Sequence, residues 1–188
     1  MNLPNKLTVS RIVMAVFFIF FLFVRGVGAK FTALALFTAA CITDYYDGFI
    51  ARKYNLVTSF GKLMDPIADK ILILGAFLSF VEMKIVPAWM VIIIISRELV
   101  ITGIRILALS QKKVLQAEVA GKHKTISQMA AVISILIFLV IRDSGFAFRY
   151  IMLYTKAVYL LMLITVGMTL ASGMAFMIRN KSIFLGEK

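Results

Sequence analysis

Asp44, Asp47, Asp65 and Asp69 place four of the chain's nine acidic residues within 26 positions. The segments that carry them are apolar enough to enter a membrane. A carboxylate in hydrocarbon is costly, so an intramembrane acid points to function by default. Four of them repel one another unless positive charge lies between them. Divalent cations held by hard carboxylate oxygens would neutralise that much charge in so small a space. Metal-assisted catalysis, or passage of a metal ion, is the chemistry that these residue types and spacings imply.

The elements that must hold these acids are membrane helices. Of the 188 residues, 62% are hydrophobic, and the mean hydropathy is +0.97. A soluble domain carries roughly 45–50% apolar residues. Each span needs about 20 residues, so residues 1–188 are expected to form one transmembrane domain. Candidate spans lie near 8–25, 31–52, 62–82, 86–109, 122–142 and 150–178. The expected fold is all-α and integral to the membrane. It comprises six transmembrane helices plus a short N-terminal interfacial helix over residues 2–10, with Leu3, Leu7 and Val9 resting in the interface. The apolar run 12–24 ends at Arg25 without a small-x-small cleavage pattern, so it reads as a retained span and not as a leader.

The net charge of +12 sits at the flanks of apolar helices. That placement fits anionic lipid head groups and a phosphate-bearing substrate, and does not fit nucleic acid. One side collects Lys6, Arg11, Arg52, Lys53, Lys62, Arg97, Arg105, Lys112, Lys113, Lys122, Lys124, Arg179, Lys181 and Lys188. The other holds Arg25, Lys30, Lys84, Arg142 and Arg149. By the positive-inside rule the first side is cytoplasmic, with both termini and all four aspartates near it. The single cysteine, Cys41, excludes an internal disulfide and reads as a small apolar helix residue.

Asp44 and Asp47 are three apart, and Asp65 and Asp69 four apart, so each pair projects to neighbouring directions from one turn. An antiparallel helix pair joined by residues 53–61 would bring the two turns together. Gly48 and Gly61 would let backbone or ligand approach closely. Pro66 falls early in its helix, where a missing N–H costs least.

The acids belong to a longer string, Asp44-x2-Asp47-Gly48-x2-Ala51-Arg52-x8-Gly61-x3-Asp65-x3-Asp69. This string resembles the CDP-alcohol phosphotransferase family and matches that family's pattern at every defined position. The resemblance implies a six-helix core with an N-terminal interfacial helix, in agreement with the hydropathy reading. It implies transfer of a phosphatidyl group from a CDP-linked lipid to an alcohol, with CMP as the leaving group. It assigns Asp44, Asp47, Asp65 and Asp69 to two divalent cations, Mg or Mn, and Asp69 also to the general base. It assigns Gly48, Ala51, Arg52 and Gly61 to the cytidine nucleotide, completed by Asn5, Thr8 and Arg11. A forked arginine contact suits phosphate. The resemblance further implies a homodimer and a multi-pass location in a bacterial cell membrane.

The acceptor is addressed by the second half of the chain. Arg97 and Arg105 are eight apart and share a helix face. Gly121-Lys122-His123-Lys124-Thr125 opens the fifth span. One reading is a buried Arg97–Glu98 ion pair with flanking lysines. The other is a basic pocket in which Arg105, Lys122, Lys124 and Arg97 take an anionic acceptor. The combination resembles those family members that use sn-glycerol 3-phosphate and CDP-diacylglycerol, giving phosphatidylglycerophosphate and CMP. Other acceptors in the family are inositol phosphate, serine and phosphatidylglycerol. Lys70, next to Asp69, either snorkels to the interface or shapes the field of the acids. His123, the only histidine, reads as an interface residue, and Trp89 as an interfacial anchor on the opposite side. The region of Gly167 and Gly173 suits close helix contact. A divalent-cation transporter is a remote alternative. It explains neither Gly48-x2-Ala51-Arg52 nor the placement of the acids towards one membrane face.

Overall fold

The computed structural model describes residues 3–53, 59–110, 119–145 and 151–181. Six helices make up these residues: α1 (Leu3–Phe23), α2 (Val27–Lys53), α3 (Ser59–Glu82), α4 (Ala88–Ser110), α5 (Val119–Asp143) and α6 (Ile151–Arg179). Each expected span has its helix, with ends displaced by a few residues. The separate surface helix expected over residues 2–10 is instead the first part of α1. Neither glycine nor proline occurs between Pro4 and Gly26 to break that helix, and proline is tolerated in a first turn.

Left-handed residues end the helices where the chain must reverse. Gly26, at φ 105°, follows α1, and Gly145, at φ 74°, follows α5. At the end of α3 the left-handed position is Lys84, at φ 57°. The Ile85 N–H donates to the Phe80 carbonyl at 2.9 Å and the Lys84 N–H to the Val81 carbonyl at 2.9 Å, which is the Schellman arrangement.

α1 packs on α2 and α3, α5 on α2 and α6, and α4 on α6. The buried face of α1 runs Arg11, Ala15, Phe18, Leu22, and that of α2 runs Ala33, Phe37, Ala40. These spacings of three and four are helix periodicity. Phe18 and Phe37 meet between the two helices with ring centroids 5.3 Å apart. Gly75 lets α3 approach α1 closely: a Cβ there would come within 2.7 Å of Ile19 Cδ1.

The outer surface is apolar. Phe17, Phe20, Phe31, Ile92, Ile106, Met152 and Leu153 are each more than half exposed, whereas Arg11, Lys30, Lys124 and Gln128 are buried. Polar groups inside and large apolar groups outside is the arrangement of a protein dissolved in lipid. Among the described residues three helical segments are long and apolar enough to cross a membrane: Val27–Asp44, Lys124–Asp143 and Met152–Arg179. The apolar run of α1, Val9–Phe23, is shorter. α3 and α4 are interrupted by charge, at Asp65, Asp69 and Lys70 and at Arg97, Glu98 and Arg105. The charges that disqualify them by composition are the ones that mark the site.

At the end of the bundle away from those charges, Lys30 is buried and its Nζ donates to the carbonyls of Leu22 (2.6 Å) and Val24 (2.7 Å). It satisfies acceptors that the last turn of α1 leaves open. Lys30→Met is expected to lower stability by about 1–3 kcal/mol, read as a drop in melting temperature in detergent. An unchanged melting temperature would show that water replaces the ammonium at no cost.

Candidate active site

The buried stripes of α1 and α2 each end in a charge. Arg11 continues the Ala15–Phe18–Leu22 face one turn earlier, and Asp44 continues the Ala33–Phe37–Ala40 face one turn later. The antiparallel packing of the two helices makes these ends meet: Arg11 Nη1 lies 2.8 Å from Asp44 Oδ1. The Arg11 side chain is 1% exposed and that of Asp44 48% exposed. A buried guanidinium thus holds a carboxylate whose outer side stays open to a further ligand. Two residues that the sequence assigned to one site, 33 positions apart, are brought into contact.

Asp47, Gly48, Ala51 and Arg52 follow on α2, and Gly61, Asp65 and Asp69 lie on α3. Their side chains fall outside the described residues, as do those of Asn5, Thr8 and Lys122. The helical backbone places residues 44 and 47 on one turn of α2, and residues 65 and 69 on one turn of α3. The contact between Gly75 and Ile19 sets the register of α3 against α1. Arg11 lies about two turns before Ile19, and the turn carrying residues 65–69 about two turns before Gly75. Four carboxylates, chemically hard and acceptor-only, are a donor set that fits divalent cations.

A second group of charges lies where α3, α4, α5 and α6 meet. Glu98 on α4 is paired through Oε1 with two cations, Arg97 Nη1 at 3.2 Å and the Lys124 ammonium from α5. The side chains of Glu98, Arg97 and Lys124 are 12%, 11% and 8% exposed. Arg97 reaches on to α6, where Nη2 donates to Ser172 Oγ at 3.0 Å. Lys70 Nζ donates to Thr102 Oγ1, and Thr102 Oγ1 donates to the Glu98 carbonyl at 2.7 Å. Lys70, Glu98, Lys124, Thr125 and Gln128 line a small pocket. Lys70 therefore turns inward to α4 and does not snorkel to the interface.

Of the two readings of the second half, the ion pair is the one that the side chains display. Arg97 and Glu98 form the buried pair, and Lys124 joins them, so Lys124 is part of an interior network and more than a flanking charge. Arg105 lies two turns beyond Arg97, exposed, with its guanidinium 5.8 Å from the centroid of the Phe176 ring. It shares the α6-facing side of α4 with Arg97 but stays apart from Glu98 and Lys124. Sequence reasoning missed the link from Glu98 to Lys124. The available signal was the carboxylate itself, since an intramembrane Glu needs a cation from a neighbouring helix.

Gly173 explains how Arg97 fits. A Cβ there would meet Arg97 Cγ at 3.1 Å and Nε at 3.4 Å. Gly167 differs from the close contact expected of it, because a Cβ at that position meets nothing within 4 Å. Gly173→Val is expected to destabilise the chain by about 1–3 kcal/mol through overpacking. Gly167→Ala is expected to leave the melting temperature unchanged or slightly raised. Equal effects of the two would remove the packing argument.

Comparison with known proteins places this geometry in context. Residues 1–171 match the family described as CDP-alcohol phosphatidyltransferase. The chain is 41% identical over 148 residues to the CDP-diacylglycerol--glycerol-3-phosphate 3-phosphatidyltransferase of Bacillus subtilis (strain 168), covering 72% of this chain and 77% of that protein. It is 40% identical over 136 residues to the protein of the same name from Rickettsia bellii (strain RML369-C), covering 72% and 75%. It is 42% identical over 134 residues to a probable phosphatidylglycerophosphate synthase of Mycobacterium tuberculosis (strain CDC 1551 / Oshkosh), covering 70% of this chain and 64% of that longer relative. With the aspartate string on α2 and α3 and a match over nearly its whole length, this chain belongs to the CDP-alcohol phosphatidyltransferase family.

Proposed function

We propose that this chain transfers the phosphatidyl group of CDP-diacylglycerol to sn-glycerol 3-phosphate, giving phosphatidylglycerophosphate and CMP. The aspartate string carries the reaction class, and the similar proteins bear names for this reaction. The observation that supports a phosphorylated acceptor is the interior group of Lys70, Arg97 and Lys124 against one carboxylate, Glu98. Among the described residues the three cations exceed the carboxylate by two, and Lys70, Lys124 and Glu98 line a pocket beside the helix turn that carries Asp69. A net positive interior site favours a dianion such as a phosphate monoester.

Asp44, Asp47, Asp65 and Asp69 would hold two divalent cations, Mg or Mn. When bound, the pair neutralises the pyrophosphate and steadies the departing phosphate. Arg11 fixes Asp44 and closes the α1 side of the site. Gly48, Ala51 and Gly61 leave room for the cytidine, and Arg52, Asn5 and Thr8 contact the nucleotide phosphates and base. Asp69 takes the proton from the acceptor hydroxyl. The hydroxyl oxygen bonds to the phosphorus that bears diacylglycerol, the bond from that phosphorus to the bridging oxygen breaks, and CMP leaves with that oxygen. Lys124 and Lys122 orient the acceptor phosphate, which keeps the hydroxyl close to Asp69, while Arg97, held by Glu98 and Ser172, and Arg105, over Phe176, lie on the α6-facing side of α4.

In this reading all six helices span the membrane. The first part of α1 lies towards the cytoplasmic interface, and both termini and the site face the cytoplasm of a bacterial cell, following the distribution of Lys and Arg. A homodimer is part of the proposal. The test is CMP release by purified protein given CDP-diacylglycerol, a divalent cation and sn-glycerol 3-phosphate, with serine, inositol phosphate and phosphatidylglycerol in parallel. Metal-dependent release with sn-glycerol 3-phosphate alone is expected. Release only with another alcohol would overturn the acceptor and keep the aspartate chemistry.

A further inference from the structure

Lys124 does not reach the pocket as an isolated cation. It leaves the first turns of α5 nearly buried and ends on Glu98 of α4. The same Glu98 oxygen receives Arg97, whose far nitrogen is held by Ser172 of α6. Across the pocket Lys70 of α3 is held by Thr102, itself anchored on the Glu98 carbonyl. Glu98 therefore ties α5 to α4, beside Arg97, which ties α6, and one turn before Thr102, which ties α3. Burying an ammonium costs several kcal/mol unless a partner compensates it, and long lysine chains lose substantial rotamer entropy when fixed. A carboxylate that meets both costs before substrate arrives leaves less to be met on binding.

We propose that Glu98 is a positioning residue for the acceptor, holding the Lys124 ammonium in the pocket opposite Lys70 so that an incoming phosphate meets a preset pair of lysines. The proposal rests on the reading of Lys124 as an acceptor-phosphate contact. Glu98 touches neither the phosphate nor the reacting atoms. It acts through Lys124, and Arg97 keeps its second flank filled.

The experiment is steady-state kinetics on the full-length protein in detergent. Each substrate is varied with the other saturating, for Glu98→Gln, Lys124→Met and the double variant. Glu98→Gln is expected to raise the KM for sn-glycerol 3-phosphate about tenfold or more, with the KM for CDP-diacylglycerol within about twofold of wild type. Adding Glu98→Gln to Lys124→Met is expected to raise the acceptor KM no further, because the two act as a unit. Equal rises in both KM values, or a full additional rise in the double variant, would make Glu98 a structural brace only and overturn the proposal. A raised acceptor KM in Lys124→Met with an unchanged one in Glu98→Gln would overturn it while leaving the phosphate contact standing. An unchanged acceptor KM in Lys124→Met would overturn the phosphate contact itself. Should Glu98→Gln fail to fold, Glu98→Asp keeps the charge one methylene short. A smaller rise confined to the acceptor KM is then expected, and an unchanged acceptor KM would overturn the proposal.

Discussion

Asp69→Asn is expected to lower CMP release by about 10²–10⁴-fold, the range lost when a positioned general base is removed. Asn keeps the size and polarity of the side chain and loses the negative charge, and with it the ability to accept the proton, while its amide oxygen can still reach a cation. Affinity for CDP-diacylglycerol should therefore change little, and the loss should fall on kcat. A binding measurement with the nucleotide lipid, set beside the turnover assay, separates the two. Wild-type turnover would remove Asp69 from the chemistry. A large loss of lipid affinity would assign Asp69 to the metal pair first and to the proton second. Asp69 directly precedes Lys70, a pocket residue held by Thr102. In the proposed function the acceptor's phosphate meets the helix turn that carries the group that must receive the proton.

The second large effect is expected at Asp44. Its carboxylate serves the proposed cation on one side and Arg11 on the other, at 2.8 Å. Asp44→Ala removes both. Loss of one ligand from a metal pair that contributes several kcal/mol predicts a fall in turnover of about 10³-fold, with the metal titration shifted to higher concentration. The ion pair adds a stability loss. Its magnitude lies between the surface and buried limits, about 1–3 kcal/mol, because Asp44 is half exposed while Arg11 is not. Arg11→Lys offers the contrast: it keeps the charge and loses the fork, so the melting temperature should fall while metal dependence stays near wild type. An Asp44→Ala protein with an unchanged metal titration would exclude Asp44 from the metal set.

Much of the architecture was legible because it is local. Residues 31–52, 62–82 and 86–109 read as helices from apolar length alone, and α2, α3 and α4 overlie those ranges. The exception is the start of the chain. Amphipathic character at Leu3, Leu7 and Val9 suggested a separate surface helix, but nothing in residues 5–25 breaks the backbone, so hydrogen bonding continues into α1. Gly173 and Gly167 were indistinguishable by type. Packing separates them, since one faces Arg97 on the neighbouring helix and the other faces outward.

By itself the sequence determined the chemistry on offer. Four carboxylates at helical spacing, with small residues beside them, follow from residue type and a period of about 3.6. It also offered Arg97 as a partner for Glu98, because a lone carboxylate among apolar residues is costly. Only the tertiary structure decided which cations answer. Arg97 was available next door in sequence, yet Glu98 also takes Lys124 from α5, and Lys70 turns to Thr102 and away from the interface. The Arg11–Asp44 pair is of the same kind. Helix periodicity states which residues share a face. Which faces meet depends on the packing of Ala, Gly and Phe against neighbouring helices, and that packing brings together charges that lie far apart along the chain.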